Sequence, residues 1–290
     1  MNVKQRGSGW SIKLAFNLYK LFGYKFIYII MYPVTFFYFI FASNVKESLR
    51  IYYKTLNLEF NNWIYFEHLR MFAMCLCDRF ISKYDPASYN FIYEHGERVT
   101  KSLDDGTILL FSHFGGWASS SSKPSTKNKI NIVMKEVILD SIKNIEKDID
   151  KTTSNIKIID QSLGQLAVSI EIANAISNNE VVAIMADRPT SDKYKHKVKF
   201  FGKDAYFNKN PFKISYKTKT PILCAFVISS GLQVYNVKTV KLDLDFNLKE
   251  DEAIEIAIKQ YVKLLEDILL EYPNQWFNFY NFWEEKWIYK

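Results

Sequence analysis

The stretch Ser112-His113-Phe114-Gly115-Gly116-Trp117 is where this sequence first offers chemistry. It follows Thr107 to Phe111, an apolar run with the length and composition of a buried strand, itself preceded by an Asp104-Asp105-Gly106 turn. Imidazole is the side chain suited to taking up and returning a proton near neutral pH. Two glycines behind it let the backbone turn sharply and approach another group. The chemistry that fits is general-base activation of a nucleophile at the end of a strand. The same residues fit a histidine that only satisfies a local hydrogen bond.

A second polar pair closes another apolar run. Val181 to Ala186 reads as a strand and ends in Asp187-Arg188-Pro189. A carboxylate and a guanidinium there suit a second edge of an active site, or an ion pair bracing a loop. Lys193 to Lys199 alternates basic residues and leads into Phe200-Phe201-Gly202-Lys203. Such a segment can grip phosphates or anionic lipid, or form a solvated hairpin. Ser119 to Ser122 is a helix start or plain loop, and no G-x-S-x-G elbow accompanies it. Cys75, Cys77 and Cys224 make neither a disulfide framework nor a zinc pattern, which fits a reduced, cytosol-facing compartment.

Strands and helices alternate around these two sites. Strands are expected at Ile130 to Met134, Ile156 to Ile159, Pro221 to Ser229 and Leu232 to Val240. Helices are expected at Val137 to Lys147, Leu163 to Ser177 and Ile254 to Tyr272. The fold class this implies is α/β, with a mixed, mainly parallel central sheet flanked by helices. Helical spacing also runs from Val45 to Phe80, with a break at Asp85-Pro86. The aromatic tail, Asn274 to Trp283, either packs over the sheet or dips into a membrane interface.

The chain has 290 residues and a net charge of +7. The first 54 residues carry eight Lys/Arg and one acidic residue, Glu47. They surround an uncharged run of seventeen residues, Phe26 to Ala42, interrupted by Pro33, where a kink is expected. That length is at the lower limit for a membrane span. Two arrangements stay open: a short spanning anchor, or a kinked helix pair lying in one leaflet. The division is therefore an N-terminal membrane-anchoring helical segment with basic flanks over 1–55, and an α/β domain over 56–290. Charge gathered around an apolar anchor suits an anionic membrane surface and argues against nucleic acid.

Taken in order, the motifs resemble the lysophospholipid acyltransferase superfamily, and within it the bacterial lipid A biosynthesis (lauroyl/myristoyl) acyltransferase branch. The resemblance runs through Leu21-Phe22-Gly23, Tyr32-Pro33-Val34, Ser112 to Trp117 and Asp187-Arg188-Pro189. It continues through Phe200 to Ala205 with Phe207 and Pro211-Phe212, and ends with Gln275 to Tyr280. The D-R-P form and the W-F-N-F-Y tail look most like a predicted-acyltransferase subgroup, sometimes found beside glycosyltransferases.

The resemblance implies transfer of a fatty acyl chain from an acyl carrier protein or coenzyme A thioester to a hydroxyl of a membrane lipid or glycolipid. It also implies a bacterial inner-membrane location, with the catalytic domain facing the cytoplasm. No bound cofactor or metal is implied, and a glycosyltransferase is a further possible partner. In the family motif H-x-x-x-x-D/E, His113 takes the place of the general base. The acidic position falls on Ala118. Another group then takes over the carboxylate's task, Asp187 first and Ser119 or Ser120 next. Otherwise the chain has kept a lipid-binding groove without catalysis, or the alanine was introduced to trap a substrate. Gly115 and Gly116 amides are expected at the oxyanion, and Trp117, Arg188, Lys199 and Lys203 at the substrate. The rival to an enzyme is a non-catalytic membrane lipid-binding or scaffold protein.

Overall fold

The computed structural model describes residues 9–135 and 155–284. The helix expected over Val137 to Lys147 lies outside the described residues. Nine strands and seven α-helices are described. Seven strands form one sheet, in the order β1 (Asn90–Tyr93), β9 (Val234–Leu242), β8 (Ile222–Gly231), β2 (Ile108–Phe111), β5 (Val181–Met185), β3 (Ile130–Met134), β4 (Ile156–Asp160). Five of them, β8 to β4 in that order, run parallel. β9 pairs antiparallel with β8, and β1 follows β9. The sheet is therefore mixed and mainly parallel, as the alternation implied.

Strand periodicity assigns the two faces. Ile108, Leu110, Val182, Ile184, Cys224 and Phe226 point into one core, covered by α2 (Ser43–Thr55), α5 (Gln165–Ser177), α6 (Asn210–Thr218) and α7 (Glu250–Glu271). Leu109, Val181, Ala183, Leu223 and Ala225 point the other way, onto Val99 and Leu103 of α4 (Gly96–Asp104). Nearly continuous apolar strands are what a sheet covered on both faces requires.

The remaining two strands, β6 (Lys195–Phe200) and β7 (Lys203–Asn208), form a separate antiparallel hairpin. Its two-residue turn holds Phe201 and Gly202 at positive φ, 49° and 75°, as the twist of a tight hairpin demands.

Helix α1 (Gly9–Phe41) packs along α3 (Asn62–Tyr84). Its one departure from helical dihedrals is at Gly23 (φ 74°, ψ −176°), so the break expected at Pro33 falls ten residues earlier, where a residue without Cβ meets no steric penalty. The aromatic tail packs over the sheet: Trp276, Phe277 and Phe282 are buried.

Candidate active site

The site follows from strand register. β2 and β5 are parallel neighbours with Phe111 opposite Met185. Two residues beyond each partner stand His113 and Asp187, at the carboxyl ends where open α/β sheets place their ligands. Ser112 anchors the turn through a 2.8 Å hydrogen bond between its Oγ and the Tyr261 hydroxyl on α7. The Ala186 amide bonds to the Phe111 carbonyl at 2.9 Å, so the two strand ends stay paired up to the site.

His113 Nδ1 lies 2.9 Å from Asp187 Oδ1, and the His113 amide donates to Oδ2 at 3.0 Å. A carboxylate accepts, so Nδ1 is the protonated nitrogen and the neutral ring presents its Nε2 lone pair elsewhere. Trp276 Nε1 and Asn278 Nδ2 also donate to Oδ2, at 3.2 and 3.3 Å. Asp187 has no solvent exposure. Burial alone would push its carboxyl up. The adjacent imidazole, its hydrogen bonds and the nearby Arg188 charge outweigh burial and hold it well below the usual carboxylate range. The result is a fixed anion behind a histidine whose side chain is 28% exposed. Such a pair can orient an imidazole and stabilise the cation that forms when it takes a proton.

The tail builds the back of the site. The Gly115 amide donates to the Gln275 carbonyl at 2.8 Å, and the Phe277 amide to the His113 carbonyl at 2.8 Å. The Gln275 side chain caps β8 by bonding both the amide and the carbonyl of Ser229, at 2.8 and 3.0 Å. Behind the tail, buried His68 lies 3.0 Å from the Trp276 carbonyl through Nε2 and 3.2 Å from the Tyr53 hydroxyl through Nδ1. The carbonyl only accepts, so Nε2 donates and Nδ1 accepts. Burial lowers this imidazole to about 3 even against the Trp276 carbonyl, and it stays neutral. Sequence reasoning missed Trp276, Asn278 and His68 as supports of the site. The resemblance in the tail was the only pointer to two of them.

Other expected site residues fall elsewhere. Arg188 donates to the Phe277 carbonyl at 2.9 Å, bonds Asn278 Oδ1 and lies over the Tyr280 ring, so it clamps the tail. Lys199 pairs with Asp204 on the hairpin at 2.7 Å and is 69% exposed. Lys203 donates to Thr55 Oγ1 at 2.9 Å. The glycine turn is set by close packing rather than by free donors. The Gly116 amide bonds the Val227 carbonyl at 2.8 Å, so the amides of both Gly115 and Gly116 are already engaged. A Cβ on Gly115 (φ 54°) would come 1.9 Å from that carbonyl oxygen, and one on Gly116 would come 2.2 Å from the Tyr235 ring. The glycines make the turn possible, and their expected place at an oxyanion gives way to that role.

An apolar cavity of about 200 Å³ adjoins the site on the α4 face of the sheet. Leu109, Phe111, Ala183, Met185, Ala225 and Val227 line it, with Trp117 and Ala118. Trp117 also lies 6.4 Å, ring to ring, from His113, and so belongs to both. Ala118 thus puts a methyl group on the cavity wall, and the carboxylate beside His113 is that of Asp187, just past the end of β5. Among the described residues the cations lining the cavity are Arg79 and Lys83 of α3, beside Ser120 and Ser121. Ser119 is buried, with its hydroxyl unpartnered among the described residues.

A strand-end histidine held by a buried carboxylate thus stands beside an apolar cavity. The family model described as bacterial lipid A biosynthesis acyltransferase matches residues 90–285, which covers the sheet, the site and the tail. The chain belongs to the bacterial lipid A biosynthesis acyltransferase family. Membership makes acyl transfer in lipid biosynthesis its activity class and lipid A-like molecules its acceptor class. No curated protein matches the chain. The matched region contains both the strand-end histidine and the apolar residues lining the cavity.

Proposed function

We propose that this acyltransferase moves a fatty acyl chain from a thioester to a hydroxyl of a lipid or glycolipid acceptor, with His113 as general base. The pair His113 Nδ1–Asp187 Oδ1, at 2.9 Å and closed off from solvent on the aspartate side, carries the proposal. His113 Nε2 takes the acceptor's hydroxyl proton as its oxygen attacks the thioester carbonyl. The tetrahedral intermediate then collapses with loss of the C–S bond, and the imidazolium returns its proton to the leaving thiolate. Asp187 stabilises the imidazolium between those two events, taking the part that the family motif gives to the position of Ala118.

The apolar cavity receives the acyl chain, and Trp117 sits where chain and imidazole meet. The donor is an acyl carrier protein or coenzyme A thioester, delivered from the cytoplasm. The acceptor reaches the site from the inner membrane, to which the 1–55 segment attaches the domain over 56–290. A glycosyltransferase would be a suitable supplier of a glycolipid acceptor.

The test is transfer from labelled acyl-carrier-protein and coenzyme A thioesters to total membrane lipid, comparing the native chain with His113→Ala and Ala118→Glu. Transfer by the native chain and its loss in His113→Ala is the expected result. Retention of activity in His113→Ala removes the base assignment. If neither the native chain nor the two variants transfer from either donor, the protein is a lipid-binding member of its family.

A further inference from the structure

Helix α1 has two faces of different fate. Tyr24, Ile27, Met31 and Thr35, spaced three and four residues apart, are buried. The opposite face presents Ile29, Phe36, Phe37 and Ile40, with Ile29 64% and Phe37 60% exposed. No charged residue occurs from Phe26 to Val45. A continuous exposed strip of this kind marks a surface that is covered in use.

The buried face is held along its length by α3, which runs antiparallel to it. The ring of Phe16 meets Tyr84 near one end of α3, and Phe39 meets Tyr65 near the other, at 4.6 and 5.2 Å between centroids. Midway, the Arg70 guanidinium lies 5.2 and 5.0 Å from the rings of Tyr28 and Tyr32 and bonds Glu67 at 2.7 Å. Further along, Tyr24 donates to buried Asp78 at 2.8 Å. α3 is in turn fixed to the catalytic body through His68 and the Trp276 carbonyl.

A helix crossing the bilayer would carry this partner with it and set Arg70, Glu67 and Asp78 at hydrocarbon depth, where charged groups are costly. By length and composition Leu14–Phe41 is long and apolar enough to cross a membrane; the charged partner packed along it, not its length, argues against a crossing.

We infer that α1 lies along one leaflet of an anionic bilayer, with the Ile29–Phe36–Phe37–Ile40 face among the acyl chains and α3 on the protein side, and that it does not cross. The basic residues complete the fit: Lys20 and Lys25 precede the strip, and Lys46, Arg50 and Lys54 follow it. α3 also supplies Arg79 and Lys83 to the cavity wall, so the helix that seats α1 on the membrane borders the space beside His113. The inference stands apart from the chemistry at His113 and needs no turnover to be tested.

The experiment uses the full chain with Cys75, Cys77 and Cys224 replaced by alanine and single cysteines placed at Leu14, Asn44, Ile29 or Phe37. A membrane-impermeant maleimide is applied to inverted and to right-side-out membrane vesicles. Leu14→Cys and Asn44→Cys should label from the same side only, while Ile29→Cys and Phe37→Cys stay protected until detergent is added. Labelling of Leu14→Cys and Asn44→Cys from opposite sides would show a span and overturn the inference. So would labelling of Ile29→Cys or Phe37→Cys in intact vesicles.

Flotation with phosphatidylethanolamine/phosphatidylglycerol vesicles adds a second measurement. Ile29→Glu and Phe37→Glu, both on the exposed face, should each lower the bound fraction about tenfold or more. Unchanged binding in both, with circular dichroism as on the parent, would also overturn it.

Discussion

Two aspartates are buried among the described residues, and the protein treats them in opposite ways. Asp187 faces an imidazole, three further N–H donors and a nearby guanidinium, and stays an anion well below the usual carboxylate range. Among the described residues Asp78 accepts only tyrosine hydroxyls, from Tyr24 at 2.8 Å, Tyr89 at 2.7 Å and Tyr235. Burial outweighs those three bonds and pushes its carboxyl up to about 6. Neutral donors satisfy lone pairs without cancelling the cost of burying charge, whereas a cation-forming partner does both. The first arrangement keeps a fixed negative charge beside His113. The second ties α1, α3 and the sheet together.

Breaking the first arrangement has the largest expected effect. Asp187→Asn keeps the shape and removes the charge behind His113, so kcat should fall roughly 10³- to 10⁴-fold while the far-ultraviolet spectrum is unchanged. A loss below tenfold would mean that His113 needs no anion. Next comes the turn that carries the histidine. Gly115→Ala combines a positive φ with a Cβ that meets backbone, and should cost on the order of 3 kcal/mol or more, read from chemical denaturation in detergent. A cost under about 1 kcal/mol would mean that the turn can shift.

The aspartates should also give pH limbs of opposite sign. Asp78 binds its proton more tightly folded than unfolded, so its contribution to stability falls as pH rises from about 4 to about 6, by about 3 kcal/mol, and is level above that. Asp187 has a depressed folded value. Its contribution is present above pH 4 and is lost as pH falls further. Asp78→Asn should flatten the limb between pH 4 and 6 and leave transfer nearly unchanged. A flat profile in the native chain would remove the contrast.

Smaller still is His68→Ala, which takes the support from the Trp276 carbonyl. We expect about 1–3 kcal/mol of stability and a drop in kcat, with KM for the thioester unchanged. Lys199→Ala should alter rate by less than twofold, because its ion pair with Asp204 is exposed. A rise in acceptor KM would return Lys199 to the substrate.

What could be read in the sequence was what depends on short-range pattern. Thr107 to Phe111 and Val181 to Ala186 are apolar runs of strand length, each ended by polar residues, and that alone placed His113 and Asp187 at strand ends. Their pairing needed the strand order, which puts β5 beside β2 although seventy residues separate them. His68, Trp276 and Asn278 are invisible to pattern because each acts across a contact between distant segments. His68 sits in an amphipathic helix like any core residue. Charge alone does not say which way a hairpin faces, so the partners of Lys199 and Lys203, Asp204 and Thr55, could not be read from it. The glycine pair was recognised as a tight turn, yet its amides bond Gln275 and Val227, partners that only folding supplies.

The tail that closes the site has a consequence in time. Trp276 and Asn278 leave the ribosome after His113, Asp187 and the whole of α1. A nascent chain can reach the membrane with both members of the pair synthesised while the carboxylate still lacks two of its donors and Gly115 its acceptor. The His113–Asp187 pair is therefore fully braced last, and a chain released before its tail emerges carries that pair unsupported.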